Sequence, residues 1–152
     1  MTNQTTATTS ETTRFVKFMT VGGIGFFVDA GTFFFFSHIL GMSLLVGQAF
    51  SFSIAVINNF ILNRHWTFPE ARSKSMRRQL VQFYVTNLVG LFIRSFTIAV
   101  VSGFFQAQAA LYRIGSLSPE LVSNYASLMT AIAIVSIWNY FVNRWWTFGD
   151  VA

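Results

Sequence analysis

The sequence predicts an all-α polytopic membrane protein: four transmembrane helices as two parallel, repeated helical hairpins, with both termini cytoplasmic. Three observations carry this. Of 152 residues, 53% are hydrophobic and 10% charged, against roughly 25% charged in an ordinary soluble domain, so a soluble fold would lack a polar exterior. Four apolar stretches each reach the ~20 residues needed to cross a bilayer. A block near residue 60 recurs near residue 140 at a constant offset of 80. The 19 Phe are too many for one small core, but lipid accepts them on helix exteriors.

Residues 1–13 are polar and Thr-rich without periodicity, and read as a disordered tail. They lack the basic start of a secretory signal, so the first apolar run is expected to persist as a helix. The membrane domain spans 14–148. Span one covers about 15–39, and span two about 44–63 after the turn-like Gly41-Met42-Ser43. Span three covers about 79–104 and span four about 121–143. The segment between them, about 105–119, is too polar to span. Its stretch 106–118 is expected as an extracytoplasmic amphipathic helix, with Leu111, Tyr112 and Ile114 towards lipid. Pro119 suits the first turn of span four, where its missing N–H leaves nothing unpaired. Residues 149–152 form a short tail.

Charge sets the direction. If four spans alternate, Arg14, Lys17, Arg64, Arg72, Lys74, Arg77, Arg78 and Arg144 share one side, while the opposite loops hold only Arg113. The Lys/Arg-rich side is expected to be cytoplasmic. Because the basic residues flank apolar runs, the net charge of +5 marks membrane topology and argues against nucleic acid. There is no Cys. His38 and His65 have no ligand-type neighbours at metal-binding spacing, so no metal or cofactor is expected, and His38 reads as interfacial. Gly22-Gly23-Ile24-Gly25 lacks the Lys-Ser/Thr of a nucleotide loop, and reads as a close helix crossing or a point where span one bends.

Asn59-Phe-Ile-Leu-Asn63-Arg64-His65-Trp66-Thr67-Phe68 recurs as Asn139-Tyr-Phe-Val-Asn143-Arg144-Trp145-Trp146-Thr147-Phe148. A weaker match at offset 65 pairs Val16-Lys17-Phe18 with Val81-Gln82-Phe83, and Gly25-Phe26-Phe27 with Gly90-Leu91-Phe92. Repeat one is thus about 14–68 and repeat two about 79–148. A two-span repeat returns the chain to its starting side, so the halves are parallel, related by an axis along the membrane normal. Gly47, Ser51, Ala55, Asn59 and Asn63 form an i,i+4 stripe in span two. Ser127, Ala131, Val135, Asn139 and Asn143 form its equivalent in span four. Such small residues permit close helix packing, while the amides serve either interhelical hydrogen bonds or a ligand path.

Asp29 and Arg94 fall at equal depth in equivalent spans, which suggests an ion pair near the axis. The pair either fixes register or marks a path for a charged group. Asn58, Asn59, Asn63, Asn87, Asn139 and Asn143 occupy the inner half of the bundle. Arg64 and Arg144 lie beside Trp66 and Trp145-Trp146 at the membrane edge, as anchoring girdles among phospholipid headgroups or as a phosphate clamp with an aromatic platform for a sugar.

Arg14-Phe15-x-x-Phe18, Val21-Gly22-Gly23-Ile24-Gly25-Phe26, Asp29 and both Asn/Arg/Trp/Thr/Phe blocks, in that order, resemble the GtrA-like family of small four-span membrane proteins over about 14–148. The resemblance implies a bacterial inner-membrane protein that flips a polyprenyl-phosphate-linked monosaccharide from the cytoplasmic to the periplasmic leaflet, for cell-surface polysaccharide synthesis or modification. Arg14, Lys17, Arg64 and Arg144, with Trp66 and Trp146 beside them, would receive the lipid phosphate. Asn59, Asn63, Asn139 and Asn143 would offer the sugar a polar way in, with Asp29 and Arg94 deeper; Asn87, among the inner amides, is a further candidate for binding. The longer polar insert departs from the compact pattern of the shortest members. The alternative is a non-transporting adaptor for a membrane glycosyltransferase. An enzyme is disfavoured because no reactive constellation accompanies Asp29. An ion channel would need the repeats to assemble around a pore. Four spans make a thin wall around a sugar, so a homodimer or a lipid-open groove is expected.

Overall fold

The structure, a computed structural model, describes residues 10–111 and 118–149, which form four long helices and no strand. Helix α1 is Glu11–Phe34. The Ser10 side chain caps it by accepting from the Thr13 amide at 3.2 Å, satisfying a donor the first turn leaves unpaired. The cap starts the helix ahead of the expected residue 15, so Glu11 to Thr13 are its first turn. A widened π-helical turn, Phe35–Ile39, ends the span. Gly41, at φ 65°, then reverses the chain in a conformation open to glycine.

Helix α2 is Leu44–Leu62, followed by a second widened turn, Asn63–Thr67. A 3-10 turn, Pro69–Ser73, leads into α3, Met76–Leu111. Its 36 residues rise about 54 Å, well past the ~30 Å of bilayer hydrocarbon. The part of the polar segment expected as a separate helix is, through Leu111, a continuation of α3. Gln106-Ala107-Gln108-Ala109-Ala110 favours helix and contains no breaker. Tyr112 and Ile114 lie outside the described residues. Ser118 caps α4, Pro119–Val142, accepting from the Leu121 amide at 3.2 Å, with Pro119 in the first turn. A third widened turn, Asn143–Thr147, completes it. Each of the four helices is long and apolar enough to cross a membrane.

The closest packing lies within hairpins, α1 on α2 and α3 on α4. Both small-residue stripes face inward: Gly47, Ser51, Ala55, Asn63, Ser127, Ala131 and Asn143 are buried. The repeat is visible in paired contacts. A Cβ on Gly25 would overlap the Asn59 amide, and one on Gly90 would lie 2.9 Å from Asn139 Oδ1. Phe18 packs edge-on to Tyr140 at 5.5 Å, while Phe83 meets Phe60 at 5.7 Å, so the matched rings cross between halves in both directions. Phe68 stacks on its own repeat mate Phe148 at 4.8 Å and 19°. Two equivalent residues can touch each other only beside the axis that relates them.

These rings form the core, with Val56 and Ala71, at the end of the bundle carrying Glu11 and Thr147. Elsewhere the large apolar groups point outward. Phe26, Phe27, Phe92 and Phe96 are each about two-thirds or more exposed, which suits lipid and not water.

The glycine cluster divides by contact. Gly25 is the close crossing, whereas a Cβ on Gly22 or Gly23 meets nothing within 4 Å, and α1 runs through all three. Gly22→Ala is therefore expected to stabilise by up to about 1 kcal/mol through helix propensity. Gly25→Ala, which must displace the Asn59 amide, is expected to destabilise by about 1–3 kcal/mol. Thermal unfolding of both variants in one detergent checks the sign difference.

Candidate functional site

Where the two hairpins separate, all four helices border a groove of about 450 Å³. Asn59 and Asn63 reach it from α2 and its terminal turn, Asn87 and Arg94 from α3, and Asn139 and Ser136 from α4. Phe18, Met19, Gly22, Gly23, Phe26, Phe83, Leu128 and Ile132 supply apolar wall. Met19, Phe26 and Ile132 are also exposed on the helix exteriors, so the groove opens sideways, towards the region lipid would occupy.

The sequence fixes these positions through helical period. Asn87 and Arg94 are seven residues apart on α3, two turns on one face. Arg94 stands about 27 Å along the helix from Met76. Its side chain is exposed to the groove and, among the described residues, no carboxylate pairs with it. Asn59 Oδ1 and Asn139 Oδ1, repeat mates, are buried acceptors without a partner among the described residues. Asn87 donates to the Phe83 carbonyl at 2.8 Å. The groove thus offers one cation and two unpaired acceptors inside apolar walls. That set suits a singly anionic group attached to hydroxyls.

Five of the residues expected at the site meet here: Asn59, Asn63, Asn87, Arg94 and Asn139. Asp29 does not line the groove, and its Oδ1 has no partner among the described residues. The expected Asp29–Arg94 ion pair is absent among the described residues. Equal depth is not adjacency. α1 and α3 lie across the bundle from one another, each packed on helices of other positions, and the short Asp29 side chain does not cross.

The four basic residues expected to receive the lipid phosphate are joined to protein groups. Arg14 pairs with Glu70 at 2.6 Å. Lys17 lies 5.6 Å from the Trp66 ring centroid and donates to the Trp66 carbonyl at 3.4 Å. Arg144 donates to both Glu11 oxygens at 3.0–3.3 Å, and the Tyr140 hydroxyl donates to the same carboxylate at 3.0 Å. Arg64 is 7% exposed and donates to the carbonyls of Ala71, Arg72 and Lys74 at 3.3, 3.0 and 2.9 Å. It holds the connection between the hairpins. Arg64→Ala, which takes this donor from the Arg72 and Lys74 carbonyls while Ala71 keeps Gln79, is expected to cost about 2–3 kcal/mol. Trypsin should then cut after Arg72 and Lys74 severalfold faster, a change that limited proteolysis reads directly.

The two signature asparagines act inside the widened turns. Thr67 Oγ1 donates to Asn63 Oδ1 at 2.8 Å, and the Phe68 amide donates to the Asn63 carbonyl at 2.8 Å. Thr147 and Phe148 repeat both bonds on Asn143. Asn143 also donates to the Asn139 carbonyl and is fully buried, away from the groove. The Asn-x-x-x-Thr-Phe spacing therefore encodes a turn that delivers each Phe to the axis. Sequence reasoning passed over Gly22, Gly23 and Ser136 as lining, and Glu11, Glu70 and Tyr140 as partners of the cations. Lone acids beside a basic helix end were the available signal.

Comparison with known proteins agrees with this architecture. The family described as GtrA/DPMS, transmembrane domain, has a model that matches residues 17–148. The uncharacterized membrane protein YngA of Bacillus subtilis (strain 168) is 28% identical over 134 residues, covering 88% of this chain and 78% of that protein. The dolichol-phosphate mannosyltransferase of Pyrococcus furiosus is 32% identical over 80 residues, which is 53% of this chain but 22% of the enzyme's length.

Proposed function

Since the chain belongs to the GtrA/DPMS transmembrane-domain family, we propose that it moves a polyprenyl-phosphate-linked monosaccharide between the leaflets of a bacterial inner membrane, from the cytoplasmic to the periplasmic side. The observation that carries the reading is the groove, with Arg94 at depth beside the unpaired Asn59 and Asn139 acceptors. A phosphate crossing hydrocarbon needs charge compensation, and its sugar needs acceptors for hydroxyl protons. Arg94 and the amides supply both, while the lateral opening leaves the prenyl chain in lipid. The basic end faces the cytoplasm by the Lys/Arg rule. Downhill exchange, driven by consumption on the far side, completes the energetics.

One relative carries dolichol phosphate in its name, which places a segment similar to this one in a protein that handles a polyprenyl-phosphate sugar. That same match favours a second reading, an adaptor for a glycosyltransferase, because there the similar segment is part of a longer chain. Purified protein in liposomes separates the two. Accelerated leaflet exchange of a polyprenyl-phosphate sugar, with no partner present, is expected of a transporter. No acceleration across a panel of sugar donors would leave the adaptor.

A further inference from the structure

A second cavity, of about 250 Å³, lies at the basic end and shares no lining residue with the groove. It is walled by the start of α3, through Arg78, Gln79 and Gln82, and by the turn that ends α4, through Trp146. Lys74 crosses between the two, donating to the Gly149 carbonyl at 3.2 Å. Arg78 is exposed, and among the described residues no carboxylate neutralises it. Gln79 is only 2% exposed. Its Nε2 donates to the Ala71 carbonyl at 3.1 Å, but its Oε1 is buried with no partner among the described residues, an acceptor that needs a donor from elsewhere.

We propose that this cavity is a docking subsite for a phosphate-bearing, hydroxylated headgroup at the membrane surface. Arg78 gives the phosphate its positive charge, with Lys74, already held on the Gly149 carbonyl, at the cavity's edge. Gln79 Oε1 and the Gln82 amide receive hydroxyl protons, and the half-exposed Trp146 indole offers an apolar face to a ring or glycerol backbone. The other hairpin differs at the end of its second helix. There Arg64 closes on the carbonyls of the connection, while after Phe148 no such turn follows within the described residues. The transport reading bears only on the source of the headgroup: the carried glycosyl phosphate or a resident anionic phospholipid.

The test uses the full chain in phosphatidylcholine nanodiscs and follows tryptophan fluorescence. One arm titrates a soluble hexose 1-phosphate, the second inorganic phosphate, and the third varies phosphatidylglycerol content. A saturable response to the hexose phosphate, weakened about tenfold or more in R78Q and lost in W146F, supports a glycosyl-phosphate subsite. A response confined to phosphatidylglycerol, with the same dependence on Arg78, supports the subsite with phospholipid as its source. Responses unchanged in R78Q, or no response in any arm, overturn the proposal. Binding without leaflet exchange would retain this subsite and remove the transport reading. Exchange without Arg78-dependent binding would do the reverse.

Discussion

Replacing Arg94 with alanine is expected to slow leaflet exchange of a polyprenyl-phosphate sugar by about 10–100-fold without lowering the melting temperature. A hydrogen bond to a charged group contributes about 1.5–3 kcal/mol, and in a groove walled by Phe, Leu and Ile little else replaces it. Stability should hold because Arg94 has no ion-pair partner among the described residues, so truncation strands no carboxylate. Arg94→Lys should fall between, since an ammonium keeps the charge but loses the planar fork. The check is a liposome exchange assay run beside thermal unfolding of the same preparations. Wild-type exchange in the alanine variant would remove Arg94 from the path. A parallel fall in stability would make it a structural residue.

Phe148→Ala is expected to give the largest loss of stability, about 3–5 kcal/mol. Phe148 is 1% exposed and touches Phe60, Phe68 and Phe83 at centroid distances of 6.1, 4.8 and 5.9 Å. Within lipid an apolar side chain gains little from burial, because the alternative surroundings are equally apolar. This cluster stands at the polar end of the bundle, beside Arg14, Arg64 and Glu70, where the alternative includes water. Phe92→Ala, on a ring 74% exposed to the lipid side, should change stability by no more than about 0.5 kcal/mol. Phe68→Ala combined with Phe148→Ala should cost less than the two singles together, with a coupling of about 1 kcal/mol from the stacked pair. Unfolding midpoints in a single detergent measure all four variants. Equal losses for Phe92 and Phe148 would mean the rings at the axis are not the core.

The span count, the inward stripes and the parallel repeat were legible because each is a periodicity or a copy. Helical period places Gly47, Ser51 and Ala55 on one side, and two copies of a hairpin have few ways to face each other. The amide set in the groove was legible for the same reason, since Asn59 and Asn139 stand on those stripes. Helix ends were less so. Ser10 and the Gln/Ala run after Gly103 act through capping and propensity, which hydropathy does not register.

Charge partnership was not legible at all. Depth along a helix follows from residue number, but which groups meet depends on how helices are arranged around the bundle. That arrangement put α1 across from α3, leaving Asp29 and Arg94 at matching depth without an ion pair. It also gave the repeat's two arginines different duties, because Arg64 meets the carbonyls of the connection between the hairpins while Arg144 meets the Glu11 carboxylate. By itself the sequence determined an all-helical, four-span duplicated chain with polar groups at depth, since hydropathy and repetition are properties of the chain. Only the tertiary structure decided which of those polar groups share a groove and which hold the protein together, since burial and pairing are properties of neighbours.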